Sequence, residues 1–335
     1  MTDTGTRAGS PTGDAAPHLP ELTILLLDPV HPVVRTAAPA GSRFVERYGA
    51  SGPAEAADLA EADVVILRSG AALTAEMMRA APRLRAVIRA GAGLDNIDLA
   101  AASAQGVPVC SVPGGSANAV AELAVGLAIG TMRHVALADR QLRVGSWCKH
   151  ELMGTEIAGS TVGVLGFGAI GSRIGAIASA LGARVVAGVR SPSDARRAEL
   201  AAEGVELVAR DEVARRADLL FLALPLDDDT RGVVDAAFLE RMPAGAYLVN
   251  VSRGGIVDER ALADALASGH LAGAATDVHE VEGRGTSPLA GRDDVVLTPH
   301  IGGMTAEAQE RVGRVVASIL AGVARGDATL EGRVA

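Results

Sequence analysis

The run Gly166-Phe167-Gly168-Ala169-Ile170-Gly171 lies near the middle of a 335-residue chain, between an apolar stretch and a segment with one apolar face. The stretch Thr161–Leu165 reads as a buried parallel strand, and residues 172–181 read as a helix. A strand, a glycine turn and a helix in that order form a cradle for a dinucleotide pyrophosphate. Gly166 allows the tight turn, Gly168 lets backbone approach the anion, and Gly171 lets the helix pack closely on the strand, with Ala169 and Ile170 between them. The pyrophosphate then sits at the positive end of the helix. About 150 residues precede this cradle, enough for a separate folded unit.

Hydrophobic residues make up 49% of the chain and aromatics only 2%, so its cores must be built from Ala, Val, Leu and Ile. That composition suits β-branched strands layered between Ala-rich helices. Four apolar runs come before the glycines, at 22–27, Val64–Leu67, 84–88 and 107–110, separated by Ala-rich stretches and Gly/Pro turns. A long apolar helix is predicted over 119–143, followed by a connector with Gly145 and Trp147. Strands are then predicted at Arg184–Val189, 218–224, 247–251, 273–276 and 295–298, with a closing helix over 305–325. The reading is two Rossmann-like or flavodoxin-like α/β units with parallel sheets and a cleft between them. Residues 21–112 and 305–335 make the first unit, 113–304 the second, and 1–20 a disordered tail rich in Thr, Gly, Ser, Pro and Ala.

Composition also excludes several classes. A net charge of −9 without a basic cluster argues against a nucleic-acid partner. The apolar stretches are too short to span a bilayer, and the first twenty residues lack the apolar core of a signal peptide. Cys110 and Cys148 match no metal-ligand spacing or disulfide framework, so no metal and a cytoplasmic setting are expected. Lys149 is the sole lysine; there is no GxxxxGK[ST] loop, and Schiff-base chemistry would rest on that one residue.

Three late segments follow predicted strands, at the edge where open α/β sheets bind ligands. They are Asn250-Val251-Ser252-Arg253-Gly254-Gly255-Ile256-Val257-Asp258-Glu259, the stretch from Asp277 to Glu282, and Pro299-His300-Ile301-Gly302-Gly303. An arginine, a carboxylate and a histidine therefore converge on one rim. An imidazole can take or return a hydroxyl proton while hydride moves at the same carbon, and an adjacent carboxylate holds the ring and favours the imidazolium. A guanidinium grips a carboxylate or polarises a carbonyl.

With GFGAIG, and with Ala90-Gly91-Ala92-Gly93-Leu94-Asp95-Asn96-Ile97-Asp98 and Ala119-Val120-Ala121-Glu122-Leu123, these segments resemble the D-isomer-specific 2-hydroxyacid dehydrogenase family over residues 21–325, in the family's order and spacing. The branch it most resembles is phosphoglycerate dehydrogenase without a regulatory domain. The resemblance implies hydride transfer between a nicotinamide and a small 2-hydroxy or 2-oxo acid, with Arg253 binding substrate, His300 as acid/base and Glu282 as its partner. It also implies a dinucleotide site including Leu224, Val251, Ser252, Asp277, Gly302 and Gly303, with Asp277 near the carboxamide and the backbone at Ala92 and Gly93 holding the substrate carboxylate. A homodimer is expected through the helix after Ala119 and Trp147. Serine feedback through a C-terminal domain is not expected.

Departures from the family sharpen some choices. Gly283 stands where a proline usually follows the glutamate, Glu280 is a rival to Glu282, and His279 is a weaker rival to His300. The strand after the glycine helix ends in Val189-Arg190-Ser191, where NAD binders carry an acid for the ribose. Arg190 and Ser191 suit a 2′-phosphate, so NADP(H) is slightly favoured over NAD(H); Asp194 is the acid that would restore NAD. Arg68 and Arg89 end two strands of the first unit and resemble the residues that face a far anionic group in the phosphoglycerate branch. They predict a phosphate, phosphonate or second carboxylate on the substrate. The alternatives are a glyoxylate or hydroxypyruvate reductase and, outside enzymes, a dinucleotide-sensing corepressor.

Overall fold

The computed structural model describes residues 21–283 and 287–335, so the tail expected over 1–20 lies outside the described residues. Two sheets whose named strands all run parallel organise the chain. The first contains β1 (Thr23–Leu26), β2 (Arg43–Glu46), β3 (Val64–Leu67), β4 (Ala86–Arg89) and β5 (Val109–Ser111), in the order β2-β1-β3-β4-β5. The second contains β6 (Thr161–Leu165), β7 (Arg184–Val189), β8 (Val205–Ala209), β9 (Leu219–Leu222), β10 (Ala246–Asn250), β11 (Leu271–Thr276) and β12 (Val295–Leu297). Its order is β12-β11-β10-β9-β6-β7-β8, so the winding reverses at β6 and leaves a crevice at the carboxyl ends of β6 and β9.

Every residue of β3, β4, β6, β9 and β10 is buried, which fits strands covered on both faces. The two-residue period sorts their side chains. Val64 and Ile66 pack on one face of the first sheet, Val65 and Leu67 on the other. Leu219 and Phe221 against Leu220 and Leu222 do the same in the second.

Two strands escape a reading of apolar runs, and both lie at sheet edges. β2 (Arg-Phe-Val-Glu) pairs only with β1, and β8 (Val-Glu-Leu-Val-Ala) only with β7. Both carry charge because an edge meets solvent. Residues 332–335 extend the first sheet at its opposite edge. Ser111 N–H donates to Gly332 O at 2.9 Å and Val334 N–H donates to Val109 O at 2.8 Å, in antiparallel pairing with β5.

Two predicted helices are corrected. The glycine-loop helix runs Ala169–Ala180 and starts inside the hexapeptide instead of after it. The helix expected over 119–143 is broken into Ala117–Met132 and Val135–Arg143, bent by 62°. His134 adopts the left-handed conformation (φ 54°) at the break, which no continuing helix permits. The two halves also face different surroundings. The first packs Ala121, Ala124, Val125 and Ala128 into the core of the second sheet, whereas the second has no buried residue. Among the described residues no single helix is long and apolar enough to cross a membrane.

After β12 the chain returns to the first sheet. Helix Ala306–Arg325, capped by Thr305, lays Val312, Val316, Ile319 and Leu320 against Ile24, Ile66 and Ile88. His300 therefore lies just before the point where the chain recrosses between sheets.

Candidate active site

The three glycines occupy three different environments. Gly166 has φ +86°, and a Cβ there would sit 2.4 Å from Ala223 O. At Gly171 a Cβ would sit 2.0 Å from Gly166 O, so the helix rests directly on the turn. Gly168 is the helix N-cap, and a Cβ there would meet nothing within 4 Å. Two glycines are thus required by the protein's own packing, while the third opens onto space at a helix N-terminus with unpaired amides. That is the shape a pyrophosphate needs. Beyond it, Leu224 N–H donates to Ser252 Oγ at 3.0 Å and Ser252 N–H donates to Asn250 Oδ1 at 3.0 Å. These bonds lock together the ends of β9 and β10.

Val189 ends β7, and Arg190 and Ser191 are exposed beyond it. Arg190 is held by two carboxylates, Asp227 at 2.9 Å and Asp229 at 2.9 Å. Asp227 also accepts from Asp229 N–H and Thr230 Oγ, so the turn after β9 is built around it. The acids near Arg190 come from this neighbouring loop, not from Asp194. The run Asp227-Asp228-Asp229 after a strand end was the sequence signal for them.

At the rim, His300 again has φ 54°. With His134 it is one of the two non-glycine residues at positive φ among the described residues. Such a conformation persists where the surroundings enforce it. The enforcer is Asp277, which is 2% exposed. Its carboxylate accepts from Thr298 Oγ1 (2.7 Å), Ile301 N–H (2.8 Å) and Gly302 N–H (2.7 Å), while its carbonyl accepts from His300 N–H (2.7 Å). The sequence reading missed this role for Asp277; a carboxylate following a strand gave no sign of it.

Glu282 meets His300 with both oxygens, 2.9 and 3.0 Å from Nδ1. Burial alone would raise the Glu282 pKa, but the hydrogen bond and charge of His300, the His279 backbone and the Arg253 charge outweigh it and hold the carboxyl below its ordinary range. The rivals are engaged elsewhere. Glu280 accepts from Glu259 N–H at 3.3 Å, and His279 Nε2 lies 2.9 Å from Thr298 O. Gly283 has φ +84°, which a proline ring cannot adopt, so this loop follows its own path and still delivers Glu282 to His300.

Arg253 extends from the end of β10 across to the first sheet. Its Nε donates to Asp95 Oδ1 at 3.0 Å and its Nη1 to Ser252 O at 2.8 Å. A Cβ on Gly93 would fall 1.7 Å from Arg253 Nη2, so the guanidinium needs a glycine there. Arg89 is 5% exposed, and its Nε has no hydrogen-bond partner among the described residues. Burial, then the neighbouring Arg253 and Arg68, push its pKa down to about 10 against the partial support of Asp95 and Asp28. Burial also lowers the Arg68 pKa, opposed by Asp28. The loop that carries Arg68 is clamped: Arg68 N–H donates to Asp28 Oδ2 at 2.6 Å, and Asn96 Nδ2 donates to Arg68 O (2.6 Å) and Ala71 O (2.5 Å).

Arg68, Arg89, Ala92, Arg253 and His300 line one chamber of about 110 Å³, together with Ile170, Val251, Asp277, Gly302 and Gly303. Arg89, Arg253 and His300 are shared with an adjoining space of about 540 Å³, which Glu282 lines as well. Gly93 touches this chamber through Arg253. Val189, Arg190 and Ser191, at the end of β7, do not line this chamber. The His300–Glu282 pair thus stands beside a chamber that two guanidiniums, one of them incompletely satisfied, also line.

Residues 125–302 match the family model of the D-isomer specific 2-hydroxyacid dehydrogenase NAD-binding domain. A D-3-phosphoglycerate dehydrogenase of Mycobacterium leprae is 44% identical over 257 residues, covering 77% of this chain and 48% of the relative. This chain therefore spans about half the length of that relative. A hydroxypyruvate reductase of Thermotoga maritima is 40% identical over 256 residues, covering 76% of this chain and 82% of the relative. The structure of an NADPH-dependent glyoxylate/hydroxypyruvate reductase from Sinorhizobium meliloti, with NADP and malonate, superposes with a TM-score of 0.82 at 27% identity over 94% of this chain and 97% of that one. With more than half of its length matched by the family model, the chain belongs to the D-isomer specific 2-hydroxyacid dehydrogenase family.

Proposed function

We propose that this protein interconverts a 2-hydroxy acid and its 2-oxo acid, using a nicotinamide dinucleotide and acting on a small substrate with a second anionic group. The observation that carries this reading is the two-oxygen grip of Glu282 on His300, across the chamber from Arg253 and the buried, partly unpartnered Arg89. Residues 113–304 would bind the dinucleotide, with Gly166, Gly168, Ala169, Ile170 and Gly171 at its pyrophosphate. Residues 21–112 with 305–335 would bind the far end of the substrate.

When bound, the nicotinamide supplies or accepts the hydride. Glu282 on Nδ1 fixes that nitrogen as the donor, which leaves Nε2 for the substrate. In reduction, Nε2–H gives its proton to the carbonyl oxygen as hydride reaches the carbon; in oxidation Nε2 takes the hydroxyl proton back. Arg253 polarises the carbonyl and steadies the developing oxyanion. The amides at Ala92 and Gly93 hold the substrate carboxylate, and Arg68 and Arg89, which line the chamber, receive the distal anion.

NADP(H) is placed slightly ahead of NAD(H), because Arg190 and Ser191 stand where the ribose-binding acid would be. The 2′-phosphate would have to compete with Asp227 and Asp229 for Arg190. Exposed apolar Val144, Trp147 and Met153, beside the solvent-facing helix Val135–Arg143, support a homodimer through that face.

The test is a kinetic panel pairing NADH and NADPH with 3-phosphohydroxypyruvate, phosphonopyruvate, hydroxypyruvate and glyoxylate. The reading expects the highest kcat/KM with a doubly anionic substrate and NADPH. Preference for glyoxylate or hydroxypyruvate would move it to the reductase alternative, which the Thermotoga maritima relative supports. Higher kcat/KM with NADH would overturn the cofactor choice. Tight dinucleotide binding without turnover on any substrate would favour a sensor.

A further inference from the structure

Glu259 is a buried carboxylate that the reaction does not use. It is 4% exposed, and no cation pairs with it among the described residues. A buried carboxyl group is costly unless its oxygens are hydrogen-bonded, so its placement calls for a physical reason. Helix capping is not that reason. Asp258, one residue earlier, already caps helix Glu259–Ala267 by accepting from Arg260 N–H and Ala261 N–H at 2.9 Å each.

The Glu259 side chain reaches instead to the loop after β11. Its Oε1 accepts from Glu280 N–H at 2.9 Å and its Oε2 accepts from Ser287 Oγ at 2.5 Å. Glu280 returns the contact by accepting from Glu259 N–H at 3.3 Å. One anchor point thus precedes Glu282 by two residues and the other follows it by five. The same stretch of loop is pressed against the turn after Arg253: a Cβ on Gly254 would lie 1.9 Å from His279 O and 2.5 Å from Glu280 N.

We infer that Glu259 is a positioning residue for the acid/base pair, anchoring both sides of the loop that presents Glu282 to His300 and registering that loop against Arg253. The inference rests on the acid/base reading given under Proposed function. It gives a use to the glutamate that ends the Asn250–Glu259 segment. It also explains why Glu280 is unavailable as the histidine's partner.

The experiment compares E259A, E259Q, S287A and E282Q, alone and with E259A combined with E282Q. It measures kcat and KM with NADPH and NADH and with whichever of 3-phosphohydroxypyruvate, phosphonopyruvate, hydroxypyruvate or glyoxylate wild type turns over best. An anchor acting through Glu282 predicts that E259A lowers kcat about 10- to 100-fold, the size seen when supporting partners are removed, with both KM values within about twofold. E259Q should recover to within about threefold of wild type, since its amide oxygen can accept from Glu280 N–H while its NH₂ donates to Ser287 Oγ. S287A removes one of the two anchors and should lower kcat about three- to tenfold. Added to E282Q, E259A should cost less than about threefold more, because residues that act as a unit are non-additive.

Unchanged kcat in E259A or S287A, or full multiplication of losses in the double variant, overturns the anchor. A KM effect as large as the kcat effect overturns it too, because that marks a general structural role. Should E259A fail to fold, S287A and E259Q carry the same comparison. Wild-type kcat in E282Q sinks the acid/base reading and the anchor together, whereas a loss in E282Q without one in E259A sinks the anchor alone.

Discussion

The two walls of the chamber are finished to different degrees. On the second-sheet side, the Asp277 carboxylate satisfies three donors of the His300 turn, Glu282 grips Nδ1, and Asn250 accepts from Ser252 N–H while donating to Arg253 O. On the first-sheet side, Arg89 is enclosed beside Arg253 and Arg68 with its Nε unpaired. A wall that performs chemistry gains from being held in place before the ligand arrives. A wall that selects a ligand gains from being incomplete, because an analogue lacking the missing group leaves a buried donor unsatisfied.

The largest test of this contrast is His300→Ala. Loss of a general acid/base should lower kcat about 10²- to 10⁴-fold, with substrate KM changed far less; a wild-type kcat would remove the chemistry from that wall. Next comes Arg89→Met, which should raise KM for 3-phosphohydroxypyruvate by about 10- to 100-fold, as expected for a hydrogen bond to charge worth about 1.5–3 kcal/mol. The same change should raise Tm by removing an incompletely compensated buried cation. A fall in Tm would show Arg89 to be part of the finished structure, and the contrast would fail.

The glycine loop offers a smaller version of the same comparison. Gly168→Ala should leave stability within about 0.5 kcal/mol yet weaken dinucleotide binding about tenfold, or 1.4 kcal/mol. Gly171→Ala should instead prevent folding, since its Cβ would lie 2.0 Å from Gly166 O. Equal effects at the two positions in a melting and titration experiment would contradict this division.

The smallest effect concerns pH. The Glu282 pKa is depressed, so its contact with His300 adds stability above the ordinary glutamate value of 4.5 and loses it as pH falls through the lowered value. The Tm difference between wild type and Glu282→Gln should therefore be full at pH above 4.5 and shrink below it. A difference that grows on acidification would show that the pair is not held in this way.

Much of this was legible in the sequence, because each signal had a local cause. Buried parallel strands such as Val64–Leu67 and Thr161–Leu165 are continuous apolar runs, and the catalytic candidates follow strands directly. The features that escaped depend on distant partners. Nothing near Asp277 shows that it orders a turn more than twenty residues later, and nothing near Arg190 shows that Asp227 and Asp229 will meet it. The break at His134 was hidden because its left-handed turn depends on the change from buried to exposed surroundings between the two helices, which the apolar run does not mark. The edge strands β2 and β8 were hidden for the opposite reason, since solvent lets them carry charge.

The antiparallel pairing of residues 332–335 with β5 bears on how the protein should be handled. An unpaired strand edge is a template for self-association, and these few residues act as a zip that closes it. Gly332 fits against Ser111 so closely that a Cβ would lie 2.1 Å from Ser111 O. Trimming residues 331–335, or replacing Gly332, would bare the backbone groups of Val109 and Ser111 on a sheet whose strand ends also carry Arg68 and Arg89. Aggregation of such a preparation would then look like loss of activity, although the chamber itself had not been touched.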